Sequence, residues 1–336
     1  MPNAIYSVVS LFAGCGGGDL GMKGGFNYIN KEYKSHPLSF AHISDFDRHC
    51  VVTLNANFGT AAEHLDVRDL SLDGYSADIV VGGFPCQSFS TVNPTKDPYD
   101  DRAQLYKEML RIVRQTKPKV VIGENVKGLA VLDKGNFLKR IVKELEAEGY
   151  KVKTQILNAA DYGVPQKRQR LFIVGVRNDI GIEFMFPEPT HINNWIPLSK
   201  VIDSLVPKDD KYYFSKRAVE GMKNAKNNMK RGLAQSLDGP CLTITSHLAK
   251  VSLNSRDPVL MVDPKKELYR RFTVREAARI QSFPDDFEFP VSDHQAYRQI
   301  GNAIPPVLMW NITNEVIELL NKYEERSIVN KSKSIV

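Results

Sequence analysis

Residues 78–90 constrain the fold more than any other stretch of this sequence. Their letters, DIVVGGFPCQSFS, predict a buried strand at residues 79–81 that ends at two glycines, Phe84 and Pro85. Ligands of open α/β sheets collect in the crevice outside the carboxyl ends of the strands. Cys86 follows this strand end and is therefore well placed for chemistry, although an arbitrary cysteine is more often a small buried apolar residue.

Apolar runs paired with polar clusters repeat along the first 180 residues. Predicted strands occupy residues 7–11, 38–43, 79–81, 119–126, 151–157 and 171–176, and amphipathic helices are predicted at 102–114 and 137–148. In the last run the polar cluster, with Gln166, Arg168 and Arg170, precedes the strand. We therefore expect an α/β fold with a mostly parallel sheet and one antiparallel strand. These three side chains would then face the same crevice as Cys86 and Glu124.

The turn after the first strand is rich in glycine, GCGGG at residues 14–18, and Asp19 is a plausible cap for the helix that follows. Such a turn presents backbone N–H groups to a ligand. Its spacing is not the G-x-G-x-x-G of dinucleotide-binding folds. Asp45 follows the second strand, where an acid can hold the two hydroxyls of a ribose.

The net charge of +6 is unevenly distributed. Residues 190–268 contain thirteen Lys and Arg against eight Asp and Glu, and residues 211–231 alone hold seven basic residues, one acid and two tyrosines. A basic segment with aromatic residues suits a polyanion such as nucleic acid. A solvated helical face explains the same run equally well.

Other features exclude several classes of protein. No basic segment precedes the first apolar run and glycines interrupt that run early, so we expect a cytoplasmic protein with no membrane span. The four cysteines are far apart and form no C-x-x-C pair. We therefore expect free thiols, with neither a disulfide framework nor a metal site.

Six motifs, in this order, resemble those of the cytosine-5 DNA methyltransferases of the prokaryotic modification type. They are SLFAGCGGGDLG, GGFPCQSFS, GENV, QKRQR, RRFTVREAARIQSFPDDF and QIGNAIPP. The resemblance implies a Rossmann-like S-adenosylmethionine-dependent methyltransferase sheet with a second, smaller target-recognition domain. It assigns residues 1–180 to the catalytic and cofactor-binding domain and 181–268 to target recognition. Residues 269–323 would return to the catalytic domain, and 324–336 would form a polar tail that we expect to be frayed.

The resemblance also implies the chemistry. Carbon 5 of cytosine is a weak nucleophile until a thiolate, here Cys86, adds to carbon 6. Glu124 would stabilise the charge that develops at ring nitrogen 3. Arg170 would hold the carbonyl oxygen of the base, and Arg168 would support it.

The cofactor residues are likewise implied by resemblance. The methionine part of S-adenosylmethionine would lie against the glycine-rich turn, the ribose at Asp45, and the adenine against Phe46. The remaining members are Phe12, Ala13, Gly14, Cys15, Gly17, Asp66, Val67, Pro85, Leu105, Asn302, Ala303 and Ile304. The chain departs from the family at Ser10, where an acid is usual, and at Asp45, where glutamate is more common.

Double-stranded DNA is the expected partner, and the target base would be flipped into the site. The residues expected to contact DNA are Gln87, Ser90, Lys223, Lys226, Lys230, Arg231, Thr243 and Thr245. We expect a monomer on DNA, associated with the bacterial nucleoid, and a cognate restriction endonuclease that would act separately.

Three alternatives remain open at this point. A transfer RNA cytosine-5 methyltransferase would share Cys86, Glu124 and the cofactor loops, although Cys86-Gln87-Ser88 resembles the DNA enzymes. A nicotinamide-dependent oxidoreductase would explain the glycine-rich turn, but the spacing of that turn is unfavourable. A DNA-binding protein without activity is disfavoured because Cys86, Glu124 and Asn302 are all present.

Overall fold

The computed structural model describes residues 4–59, 62–85, 105–203, 207–224, 234–250 and 259–333. Its strands are β1 Tyr6–Leu11, β2 Phe26–Tyr28, β3 Lys31–Tyr33, β4 Leu38–Asp45, β5 Glu63–His64, β6 Ile79–Gly82, β7 Val120–Val126, β8 Tyr150–Asn158, β9 Gln166–Lys167, β10 Gln169–Arg177, β11 Cys241–Leu242, β12 Leu260–Asp263 and β13 Leu268–Arg270. Its helices are α1 Gly17–Lys23, α2 Arg48–Phe58, α3 Leu105–Thr116, α4 Asn136–Ala147, α5 Lys216–Asn224, α6 Val274–Ile280, α7 Asp293–Asn302 and α8 Pro306–Lys333.

Seven of these strands form one sheet in the order β5-β4-β1-β6-β7-β10-β8. Strand β10 is antiparallel to both of its neighbours, with Phe172 opposite Glu124 and Arg170 opposite Val126. The other pairs in the sheet are parallel. The expected fold class and its one antiparallel strand are therefore confirmed, and the start of β10 lies at the same sheet edge as the ends of β6 and β7.

The central strands are apolar on both sides because the sheet is covered on both faces. Along β1, Val8 packs into a core shared with α6, α7 and α8, whereas Val9 and Leu11 pack into a second core with α3 and α4. This burial explains why strands β1, β6 and β7 appear in the sequence as nearly continuous apolar runs.

Two helices lie at the carboxyl-terminal end of the chain, and a short break separates them. Helix α7 ends at Asn302, and α8 begins at Pro306. The two prolines, Pro305 and Pro306, explain the break, because a proline disfavours helix in the residue before it and is accepted at the first helical position. The expectation of a frayed tail is wrong as far as Lys333, since α8 continues to that residue.

Residues 181–268 divide between two cores. Val219, Met222, Val259 and Tyr269 form a small cluster of their own. Cys241 and Ile244 belong instead to the main core, and β11 pairs in parallel with β9. The segment that follows residue 240 is thus joined directly to the core that also covers the seven-stranded sheet.

Within the ranges that the structure describes, no helix is long and apolar enough to cross a membrane. The same ranges contain no cluster of three or more metal-ligating side chains.

Candidate active site

Glu124 and Arg170 form an ion pair at the sheet edge where β6, β7 and β10 meet. Arg170 Nε lies 3.0 Å from Glu124 Oε1, and both side chains are largely buried. Burial raises the pKa of the Glu124 carboxyl, and the nearby Arg170 and Arg168 guanidinium groups partly oppose that shift. A carboxyl with a raised pKa keeps its proton to higher pH than usual, so it can share a proton with a bound base.

The backbone that leads to Cys86 lies beside this carboxyl. A Cβ built on Gly83 would stand 3.3 Å from Glu124 Oε2, so only a glycine leaves normal room there. Asn125 Nδ2 donates to the Phe84 carbonyl at 3.0 Å and ties the end of β6 to the end of β7. Cys86 itself, with Gln87 and Ser90, lies outside the described residues.

Arg168 is placed differently from the sequence prediction. Its side chain is buried, and it donates from Nη1 to the Ile244 carbonyl at 3.1 Å and from Nη2 to the carbonyls of Gly301 and Ala303 at 2.9 and 3.0 Å. Gln166 is also buried. The expectation that both side chains face the crevice is therefore wrong, because Arg168 is buried against backbone carbonyls and Gln166 against the Gln281 side chain and the Ile244 N–H. Arg170 forms the ion pair with Glu124.

The glycine-rich turn has the geometry that the sequence suggested. Phe12, Gly14 and Gly16 have positive φ angles of 54°, 58° and 88°. Apart from its chain neighbours, no described residue has an atom within 4 Å of a Cβ built on Gly14. Open space beside this turn fits a ligand against its backbone. Gly16 is the cap of α1, so the expectation that Asp19 caps this helix is wrong.

Asp45 connects the end of β4 to the glycine-rich turn. Its carboxylate accepts from the N–H of Gly14 at 2.7 Å and from the N–H of Asp47 at 2.8 Å. Burial raises its pKa, and these hydrogen bonds oppose the shift. The next residue, Phe46, is 71% exposed, which is unusual for a large apolar ring. A carboxylate beside an uncovered ring is a suitable pair for a ribose and the base attached to it.

Asp66 and Val67 are partly occupied by protein contacts. Arg68 bonds the Asp66 carboxylate at 2.6 Å and lowers its pKa. The Val67 carbonyl accepts from Arg111 Nη2 at 2.8 Å. Leu105, at the start of α3, packs against the same core as Val67. Asp66 would have to share its oxygens between Arg68 and a ligand.

The chain returns to the glycine-rich turn from its far end, as expected. A Cβ on Gly17 would lie 2.6 Å from the Ile304 carbonyl oxygen and 3.0 Å from Ala303 Cβ. Asn302 is exposed beside them. Cys15, in the turn, is buried, and burial raises the pKa of its thiol to about 12. Cys15 is therefore protonated near neutral pH and is a poor nucleophile.

The residues expected to contact DNA are only partly described. Lys223 Nζ lies 2.7 Å from Glu267 and 3.1 Å from Glu220, so its charge is already paired. The Thr243 hydroxyl donates to the Lys167 carbonyl at 2.7 Å, and Thr245 Oγ1 accepts from a backbone N–H at 3.1 Å. Lys226, Lys230 and Arg231 lie outside the described residues.

The side chain of Asp19 is buried, and the pKa of its carboxyl is raised. Ser10, which occupies the position where an acid is usual in the resembled family, forms a hydrogen bond with the Asp19 carboxyl. The Asp19 carboxyl therefore lies close to that position. Its Oδ1 has no hydrogen-bond partner, and burial raises its pKa to about 6. The charged form is therefore disfavoured in the folded state.

Replacing Asp19 with Asn should consequently stabilise the protein near neutral pH. In the wild type the unfolded carboxyl ionises first as the pH rises above about 4, so stability falls until the folded carboxyl ionises as well. The shift corresponds to about 3 kcal/mol, which Asp19→Asn would recover. Urea unfolding at a series of pH values should show a difference that grows from near zero in acid to this value. A difference independent of pH would contradict this account.

The sequence of the whole chain was compared with protein-family models. Residues 6–318 match the model of the C-5 cytosine-specific DNA methylases. The chain belongs to this family. A DNA methylase is favoured over the transfer RNA and nicotinamide alternatives by that match.

Relatives and solved structures agree with the family. The chain is 34% identical to the Type II methyltransferase M1.ScrFI of Lactococcus lactis subsp. cremoris over 95% of this chain and 80% of that protein. It is 32% identical to the Type II methyltransferase M.NlaX of Neisseria lactamica over 96% of this chain and all of that protein. The structure of the Dnmt2 methyltransferase of S. pombe resembles this DNA methylase fold with a TM-score of 0.73, at 18% identity, over 94% of this chain and 99% of that one.

Proposed function

We propose that the protein transfers a methyl group from S-adenosylmethionine to carbon 5 of a flipped cytosine in a short, specific sequence of double-stranded DNA. The observation that carries this proposal is the buried Glu124–Arg170 pair beside Gly83, in a chain of the C-5 cytosine-specific DNA methylase family. The same sheet edge brings together a carboxyl, a guanidinium and the backbone that leads to Cys86. These are the groups that activation of a cytosine requires.

The cofactor fits the open turn and the uncovered ring. Residues 12–17 and 303–304 would hold the methionine part, Asp45 the ribose hydroxyls and Phe46 the adenine. S-adenosylmethionine, when bound, supplies an electrophilic methyl group. The raised pKa of Asp45 does not prevent binding, because a carboxyl beside hydroxyl donors can accept their hydrogen bonds once ionised.

The chain's own residues would perform the remaining chemistry. The Cys86 thiolate forms a bond to carbon 6, and Glu124 shares its proton with ring nitrogen 3 as negative charge develops there. Arg170 would hold both the Glu124 carboxyl and the carbonyl oxygen of the base. After transfer, loss of the carbon 5 proton restores the ring as the bond between Cys86 and carbon 6 breaks.

The relatives support a role in restriction-modification. Type II methyltransferases such as M1.ScrFI and M.NlaX match this chain over most of its length. We further propose that an endonuclease acts separately and that the protein is a cytoplasmic monomer that binds nucleoid DNA. Sequencing of bisulfite-treated plasmid from expressing cells tests the activity. Cytosines protected in one short sequence context are expected, whereas methylated transfer RNA with unmodified plasmid would contradict a DNA substrate.

Replacing Asp45 with Ala should weaken S-adenosylmethionine binding. Loss of a charged hydrogen-bond acceptor costs about 1.5–3 kcal/mol, which corresponds to roughly 10- to 150-fold in the dissociation constant. Calorimetry on the purified protein measures this change directly. Asp47→Ala is the matched control, because it removes a neighbouring carboxylate that caps α2. Unchanged affinity in Asp45→Ala would remove Asp45 from the cofactor site.

A further inference from the structure

Three segments that are far apart in the sequence meet at a cluster of buried polar side chains. The segments are residues 166–168, 241–245 and 301–303. Gln166, Arg168 and Gln281 lie between them, and none of these side chains is more than 1% exposed. Buried polar groups are costly unless they are hydrogen-bonded, so the partners of these three side chains fix how the segments pack.

Gln281, the residue that follows α6, lies at the centre of one continuous path of hydrogen bonds. Its Oε1 accepts from Gln166 Nε2 at 2.5 Å, and its Nε2 donates to the Ala303 carbonyl at 2.6 Å. Gln166 Oε1 in turn accepts from the Ile244 N–H at 2.9 Å. The path therefore runs from residue 244 through two side-chain amides to residue 303.

A second path connects the same two segments. Arg168 donates to the Ile244 carbonyl and to the carbonyls of Gly301 and Ala303. Gly301 also touches the neighbouring segment directly, since a Cβ built there would overlap the Thr245 carbonyl. Residues 241–245 and 301–303 are thus packed as one unit, and a displacement of either segment breaks hydrogen bonds of the other.

We propose that Gln281 is a positioning residue that couples cofactor occupancy to DNA affinity. This inference rests on the proposed function and on two expectations from the sequence, that residues 302–304 close the cofactor pocket and that Thr243 and Thr245 contact DNA. The low local dielectric strengthens the hydrogen bonds of a buried polar network, so the segments that it joins favour one arrangement. A cofactor that holds residues 302–304 in this packed arrangement therefore also favours the packed arrangement of residues 243–245, and by thermodynamic linkage DNA increases cofactor affinity by the same factor.

The test measures DNA affinity with and without S-adenosylhomocysteine, which occupies the cofactor pocket without reacting. The DNA is a duplex that carries the methylated site found by bisulfite sequencing. Coupling between sites is typically about 5- to 150-fold, and an increase in this range is expected for the wild type. In Gln281→Met the increase should be clearly smaller, because the path through Arg168 remains and the path through the two amides is lost, while each ligand still binds alone.

Gln299 provides a matched control. It is also buried, its Oε1 accepts from the Thr53 hydroxyl at 2.9 Å, and its Nε2 donates to the His49 carbonyl at 2.8 Å. Gln299→Met therefore removes the same kinds of hydrogen bond without touching residues 241–245. The wild-type coupling factor is expected in this variant, and an equal loss in both variants would show a general loss of packing and overturn the assignment to Gln281.

The other outcomes are equally decisive. A wild type without coupling, or a Gln281→Met variant that keeps the full factor, would overturn the inference. Should Gln281→Met fail to fold, the double variant Gln166→Met/Gln281→Met replaces both partners of the amide pair with apolar side chains of similar length, a change that can be nearly neutral. A wild type that binds neither ligand and methylates no DNA would overturn the proposed function instead.

Discussion

Replacing Glu124 with Gln is expected to lower kcat about 100- to 10,000-fold, the range for loss of a positioned acid or base. Gln keeps the shape of the side chain and can still accept from Arg170 Nε. It cannot take up or release the proton that stabilises charge at ring nitrogen 3. Cofactor affinity should be unchanged, because the described cofactor residues lie on other strand ends, and that constancy would show that the variant is folded.

The pH dependence gives this prediction a second measurement. Burial raises the pKa of Glu124, so the protonated form persists to higher pH than for an ordinary glutamate. Wild-type kcat should fall as the pH rises through this raised pKa, and Glu124→Gln should lack that limb of the profile. A variant with wild-type kcat, or with the same falling limb, would show that Glu124 is not the acid.

Much of the fold could be predicted because its signals are local. The polar cluster before β10, rather than after it, indicated an antiparallel strand, and the observed register places Phe172 of β10 opposite Glu124. The hairpin of β2 and β3 was not predicted. Its turn residues, Ile29 and Asn30, have positive φ angles of 44° and 59°, and no glycine marks the position. Helix α7 was not predicted either.

Site residues that follow the ends of strands could be predicted from the sequence. Residues whose hydrogen-bond partners lie on distant segments of the chain could not. Glu124 and Arg170 stand in motifs that the sheet brings together. Gln281 follows an ordinary amphipathic helix, and its partners are 115 and 22 positions away in the sequence. The two carboxylates that pair with Lys223 include Glu267, 44 residues further on. Charge counts alone could not show that this lysine is already neutralised.

Replacing Cys86 with Ser should abolish methylation, the largest effect expected for any single change in this chain. An alkoxide is far less available than a thiolate near neutral pH, so Ser cannot add to carbon 6 at a useful rate. Cys50 and Cys241 are matched controls, because both thiols are buried in the core. Their replacement by Ala should leave methylation in place.

The covalent step itself can be captured with DNA whose target cytosine carries fluorine at carbon 5. Such a base can accept the thiol and the methyl group, but it has no proton at carbon 5 to lose, so the bond to the enzyme cannot break. The wild type with S-adenosylmethionine should give a protein–DNA adduct that survives denaturing electrophoresis, and mass spectrometry should locate it on Cys86. Cys86→Ser should give none. An adduct on another residue, or an active enzyme that forms no adduct, would contradict the covalent mechanism.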